Sequence, residues 1–439
     1  MKTSKLVILV LLGAVAIAAG ALGFRQYSKN STGRAAASSS GESSTQPASS
    51  EKQTPADVRI RAGESKIKLA PDRPDGYNLL ASAYMQKARE TGDYGVNAKA
   101  MEALEQSFRV APDNYDALKL HAKVLLTYHR FEEALAEAER AQKQNPEDHD
   151  VYGALVDANV ELGRYDAAVE AAQRMVDLRP DAAAYSRVAY LRELHGDTEG
   201  AVEAMSVALK ASDPRDPEAV TWARVQFGHA LASLGKRAEA EREYDTALRV
   251  LPGYGAALTS KADARAAAGD YDGAVEIYKQ LDSHDAHLAL GDLYARLGRT
   301  EDAAREYAAF ERAEHEAAAQ ENDLGHLARF WADRGQNLDE ASEIMRRERV
   351  RRADIYTCDT LAWVLYKKGD LAAARQSIDE ALRLGTRDAK INYHAGMIYQ
   401  ALGDARRAAR HLKLALETNP SFDVLQAEAA RRALDSLNV

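Results

Sequence analysis

A single cysteine, Cys358, stands in 439 residues, so no intramolecular disulfide can form. It lies in an apolar helical stretch and reads as a small buried hydrophobe rather than a reactive thiol. No basic stripe runs along the chain: 58 Lys and Arg are interspersed with 67 Asp and Glu, for a net charge of −9. Phosphate contacts need clustered cations, so nucleic acid is not an expected partner. No Gly-rich phosphate loop follows a strand, and strand-like alternation is itself missing. His315-Glu316 has no second histidine four residues on, so the metalloprotease pattern fails. His284 and His287 are spaced as a metal could use on a helix, yet they open a repeat where packing residues are ordinary. The reading therefore assigns no catalytic residue, no cofactor and no metal, and the chain is not expected to be an enzyme. Aromatics are also scarce, at 7%, against 46% hydrophobic residues rich in alanine. Small side chains at that density suit closely packed helices.

Lys2 and Lys5 precede an uncharged run from Leu6 to Phe24. As a helix it would reach about 28 Å, close to the hydrocarbon thickness of a bilayer. The run predicts an N-terminal anchor over 1–24, with the rest outside the cytoplasm (periplasmic or cell surface) and held to the inner or plasma membrane. Ala19-Gly20-Ala21 leaves open the alternative of a cleaved signal and a secreted protein. Residues 25–58, rich in Ser, Ala and Thr, predict a disordered linker.

Spacing carries the rest. Pro112, Pro146, Pro180 and Pro214 recur every 34 residues, and the series resumes at Pro252 and closes at Pro420. Between them lie Gly163, Gly196, Gly235, Gly269, Gly298, Gly335, Gly369 and Gly403, each placed to end the first helix of a pair. Five residues beyond each glycine is an alanine: Ala168, Ala201, Ala240, Ala274, Ala303, Ala341, Ala374 and Ala408. Seven residues before most of the glycines is a second small residue: Ala189, Gly228, Ala262, Gly291, Ala328, Ala362 and Gly396. Small residues on both sides predict close helix pairs, and bulkier residues such as Tyr244, Tyr307 and Leu412 follow at the next register.

This pattern is similar to the tetratricopeptide repeat family, which pairs small residues at positions eight and twenty with aromatics near seventeen and twenty-four and proline near thirty-two. The likeness covers about residues 113 to 420 and is close in "AEREYDTALRVLP" and "ARRAARHLKLALETNP". The C-terminal part also resembles exported bacterial repeat proteins of undefined function. The fold implied is all-α: a right-handed α-solenoid of about ten helix-turn-helix repeats over 59–439, behind the N-terminal hydrophobic helix and the linker. The repeats fall at 74–112, 113–146, 147–180, 181–214, 217–252, 253–283, 284–320, 321–354, 355–388 and 389–421, with a capping helix at 422–437. The unit after Tyr254 should have a truncated second helix, and the one after Gly298 a lengthened one.

What the resemblance implies is recognition of a protein or peptide in the concave groove by a scaffold or adaptor. First helices line that side in the family, which marks Tyr190 with Glu193, Trp222 with His229, Asp263, Asp292 and Arg329 as lining. Trp363, Tyr366, Tyr393 and Met397 form a denser aromatic and methionine group, with Tyr356 and Lys390 beside it. An aromatic on a first helix can equally be packing between repeats. Two other readings remain: a structural subunit of a cell-envelope complex such as a transporter or secretion machinery, and a metal-handling accessory built on His284 and His287. The carboxylate clamp of some family members is not implied, because Lys119 and Lys123 are followed by Asp157 where a second donor is needed. Oligomeric state is not legible.

Overall fold

The computed structural model describes residues 54–91, 94–321 and 324–437. Among them are 22 α-helices and no strand. The predicted N-terminal helix and nearly all of the linker lie outside the described residues. The linker region ends earlier than expected, however: helix α1 (Pro55–Leu69) starts at a proline, with Thr54 and Asp57 forming a reciprocal capping box.

The chain divides into two units, with the division after Val124. The first holds α1, α2 (Pro74–Thr91), α3 (Asn97–Val110) and most of α4 (Tyr115–Thr127). There Lys87 pairs with Asp57 at 3.0 Å, and buried Asn78 bonds to Ser107 and Asn114.

The second unit is a series of helix pairs: α5 (Phe131–Gln144), α6 (His149–Glu161) with α7 (Tyr165–Leu178), α8 (Ala182–Leu194) with α9 (Thr198–Ala211), and α10 (Pro217–Ser233) with α11 (Arg237–Val250). It continues through α12 (Gly255–Ala267) with α13 (Tyr271–Tyr278), α14 (His284–Arg296) with α15 (Thr300–Glu321), and α16 (Gly325–Arg334) with α17 (Leu338–Arg351). It ends in α18 (Ile355–Lys368) with α19 (Leu371–Ala381), α20 (Ala389–Ala401) with α21 (Ala405–Thr418), and α22 (Gln426–Ser436). The truncated and lengthened helices are α13, of 8 residues, and α15, of 22.

Glycine ends the first helix at eight turns, and at four of them the next residue starts the second. The eight glycines between helices all have φ between +66° and +90°. Where an aspartate follows, as at Asp197, Asp270, Asp370 and Asp404, its carboxylate caps the next helix by accepting from a backbone N–H three residues on. A Gly-Asp pair thus ends one helix and starts the next. The repeat at 113–146 lacks the glycine, and His129 takes the left-handed conformation there, at φ 53°.

The small-residue series is buried throughout, from Ala168 and Ala274 at 0% exposure to Ala303 at 4%. Its partners press directly on the next register. A methyl group on Gly228 would come within 2.3 Å of the Tyr244 ring, on Gly291 within 2.3 Å of Tyr307, and on Gly396 within 2.5 Å of Leu412. Close approach of the two helices within each of these repeats therefore depends on the missing side chain.

The expected localisation, outside the cytoplasm on an N-terminal membrane helix, is corrected. Among the described residues no helix is long and apolar enough to cross a membrane. The physical reason is amphipathicity: even α15, the longest, carries Glu or Arg on nearly every turn. Contact with a membrane through an N-terminal helix is likewise unsupported.

Candidate functional site: the first-helix face of the second unit

First helices of successive repeats lie side by side, and polar side chains bond across most of the steps. Arg187 on α8 forks onto Asp157 on α6 at 2.7 and 2.8 Å. Ser233 on α10 donates to Glu193 on α8 at 3.1 Å, and His229 Nε2 lies 2.8 Å from Ser260 Oγ on α12. Arg334 reaches Asp292 at 2.8 Å, Trp363 Nε1 donates to Asp333 at 2.8 Å, and His394 Nδ1 lies 2.9 Å from Asp359. Lys390 then pairs with Asp423 at 2.9 Å, ahead of α22.

That ladder sorts the residues predicted to line a groove. Trp363 is 2% exposed and Tyr393 4%. Trp363 stacks on His394 with ring centroids 4.1 Å apart and meets Tyr366 and Tyr393 at 5.0 and 5.6 Å, while Tyr393 meets Phe422 at 5.3 Å. The predicted aromatic group does come together, as packing between repeats. Tyr190 is also buried. Asp292 is half-buried, accepting from Tyr307 Oη as well as Arg334. Trp222, Arg329, Tyr366 and Met397 are half-buried, and His229 and Asp263 are exposed.

Several carboxylates on or near α8 and α12, and at the start of α20, are shifted by the helices around them. Glu193 is pushed up to about 7, first by burial among neighbouring helices and then by Asp388, against the Ser233 hydrogen bond. Asp388, the cap of α20, is raised by the same enclosure and by Asp359, against a hydrogen bond from the Ile391 N–H. Asp263, open to solvent on one side but walled by neighbouring helices, rises to about 6 through that enclosure and Asp285, although Tyr278 Oη donates to it at 2.5 Å. Tyr356 is held neutral by burial and by the field of Tyr190, Asp388 and Glu193. Two tyrosines and two carboxylates from repeats distant in sequence thus share one place. Sequence register pointed to Tyr190, Glu193 and Tyr356, but Asp388 is a turn residue with no repeat signal.

The chain also returns on itself within this unit. Arg352, 6% exposed, pairs with Glu161 at 2.5 Å and Asp354 at 3.0 Å. Ala353 N donates to Glu161 O at 2.8 Å, and Ile355 N to Tyr165 Oη at 3.0 Å. The turn at Gly163 permits this approach, since a methyl group there would lie 2.5 Å from Ala353 O. No sequence rule marks residues about 190 positions apart as neighbours. Nucleophilic chemistry has no foothold at Cys358, whose thiol burial pushes up to about 11.

A tetratricopeptide repeat model matches residues 119–183, 154–219, 225–286 and 360–421, together just over half of the chain. The chain belongs to the tetratricopeptide repeat family. Tetratricopeptide repeats make it a protein–protein interaction scaffold, and such repeat proteins are generally non-catalytic. It is similar to PilW, described as a widely conserved type IV pilus biogenesis factor, at 18% identity over 47% of this chain and 93% of that one, with a TM-score of 0.37. TTC0263, a thermophilic tetratricopeptide protein of Thermus thermophilus, shares 19% identity over 48% and 98% of the two chains at 0.36. The human IFIT1 dimer with m7Gppp-AAAA shares 15% over 74% and 76% at 0.49. No curated protein matches the sequence.

Proposed function

We propose that the scaffold holds an extended segment of a partner protein against the first helices α8, α10 and α12, and that the segment carries Lys or Arg. One observation carries this reading: half-buried Glu193 and Asp388, and Asp263 with its solvent-exposed side, are carboxylates whose ionised forms are disfavoured by the helices packed around them. A cation from outside would relieve that cost. Trp222, half-buried, and His229, exposed, supply contact surface beside them. Of the residues first read as lining, Trp222, His229 and Asp263 lie on α10 and α12, keep access to solvent and are the assigned contacts; Arg329, Tyr366 and Met397 also keep access but lie on later first helices. Tyr190, Trp363 and Tyr393 are buried within the stack, and half-buried Asp292 is occupied by Arg334 and Tyr307.

Fluorescence anisotropy with paired peptides, one set containing Lys or Arg between apolar residues and one with Glu in their place, tests the reading. Binding of the basic set alone, weakened by Glu193→Gln and by Trp222→Ala, is the expected result. Equal binding of both sets, or indifference to both variants, would remove it.

A further inference from the structure

We propose that His284, Glu314 and His326 form a binding site for one divalent metal ion of the zinc class. The three residues come from different helices: His284 opens α14 after its Ser283 cap, Glu314 lies on α15, and His326 is in the first turn of α16. One ligand atom from each lies within 4.8 Å of the other two. His284 Nδ1 contacts Glu314 Oε1 directly, and His326 Nδ1 is 3.9 Å from the same oxygen. The two imidazole centroids are 6.1 Å apart.

Two imidazoles and a carboxylate are borderline ligands that suit zinc, with bonds of about 2.0–2.2 Å. Donor atoms around such a tetrahedral centre stand roughly 3.3–3.5 Å apart. To reach that arrangement the direct His284–Glu314 contact has to lengthen and His326, 3.9 Å from the Glu314 oxygen, has to close in, each by about an ångström or less, within reach of side-chain rotation. A fourth position is left for water or an outside ligand.

The cluster differs from an ordinary ion pair in its numbers and its setting. Glu314 is 3% exposed, so its charge needs compensation, and one histidine would suffice. Two protonated imidazoles converging on one oxygen would repel each other, whereas a dication binds both in neutral form. One side is apolar: His284 stacks on Phe310 at 6.4 Å, and Phe310 meets the tilted Phe330 ring at 4.9 Å. The neighbouring sequence is acidic, with Asp282, Asp285, Glu311 and Glu316 against Arg312. Location also matters, because the second helices of regular repeats here run 14 residues whereas α15 runs 22. Glu314 is its fifteenth residue, so the extra length creates the site. The histidine pair singled out in the sequence does not converge: His287 Nδ1 lies 2.6 Å from Glu306 instead.

The test uses the full chain, stripped with a chelator, titrated with Zn²⁺ in competition with a chromophoric chelator and separately with Co²⁺ by visible absorption. One equivalent of Zn²⁺ and tetrahedral Co²⁺ bands are expected. Loss of an outer-shell partner alone costs about 10–100-fold in affinity, so His326→Ala and Glu314→Gln should each cost about 100-fold or more. His287→Ala should change nothing. Circular dichroism on each variant separates loss of a ligand from loss of fold. Absence of both Zn²⁺ uptake and Co²⁺ bands in the unmodified chain would overturn the proposal, as would uptake that folded His326→Ala and Glu314→Gln retain in full.

Discussion

Replacing Arg352 with Met tests whether distant repeats are held together by a buried ionic knot. Arg352 faces Glu161 at 2.5 Å, Asp354 at 3.0 Å and Glu348 at 4.0 Å, and it lies 5.4 Å above the Phe131 ring. All three carboxylates are at most 6% exposed. Burial works to raise the Asp354 carboxyl, but the Arg352 charge and hydrogen bonds from Thr357 and Tyr356 hold it below its ordinary value. Taking away one partner of a buried pair strands the other and costs about 3–5 kcal/mol. Replacing both sides of a pair by apolar groups of similar volume is often neutral, so Arg352→Met with Glu161→Met should regain most of the loss. Asp354 keeps its Thr357 and Tyr356 bonds in the double variant. The single variant should also lose less at about pH 4–5 than at about pH 7.5, because stranded carboxylates are neutralised by protonation. Urea midpoints and melting curves by circular dichroism read the global effect, and hydrogen exchange at the Ala353 amide, which donates to Glu161 O, reads the local one. A loss below about 1 kcal/mol, of the size expected for an exposed pair such as Arg215–Asp213, would refute the argument.

Gly291→Ala should destabilise the chain by about 1–3 kcal/mol through collision with Tyr307, and a melting curve unchanged within error would contradict the close-packed register. Trp363→Ala should cost about 3–5 kcal/mol, so a well-folded variant with unaltered melting would show that Trp363 is not the packing residue described. Glu193 is pushed to about 7 from an ordinary 4.5, so between those values the folded chain holds a proton that the unfolded chain has released. Its contribution to stability therefore falls as pH rises from about 4.5 to about 7. Glu193→Gln should raise the melting temperature at about pH 8 and leave it little changed at about pH 4.5, and the reverse order would contradict the assigned environment.

Much of the fold was legible because tetratricopeptide packing is local. The alanine series and its partners, read from spacing alone, are buried without exception, and all eight turn glycines have positive φ. Where the turn glycine was missing, at His129, no residue type announced the left-handed conformation. Binding residues were harder to place. The register identifies which side chains point along the first-helix face, but Trp363 bonds to Asp333 and stacks on His394, contacts that depend on how neighbouring repeats are rotated. Arg352 with Glu161, and Asp388 with Glu193, are pairs set by how the repeats coil. Periodicity contains no information on that coil. Glu314 lies in a stretch where the period itself fails, and there the repeat pattern is silent.

Site-specific photocrosslinking from the native source material tests the binding face most directly. A photoreactive residue at Trp222, on the first-helix face, is compared with one at Val207, exposed on the second helix α9. The account predicts a discrete partner crosslinked from the Trp222 position, with a Lys- or Arg-containing peptide at the junction, and none from the Val207 position. Crosslinks formed from the Val207 position and absent from the Trp222 position would contradict it.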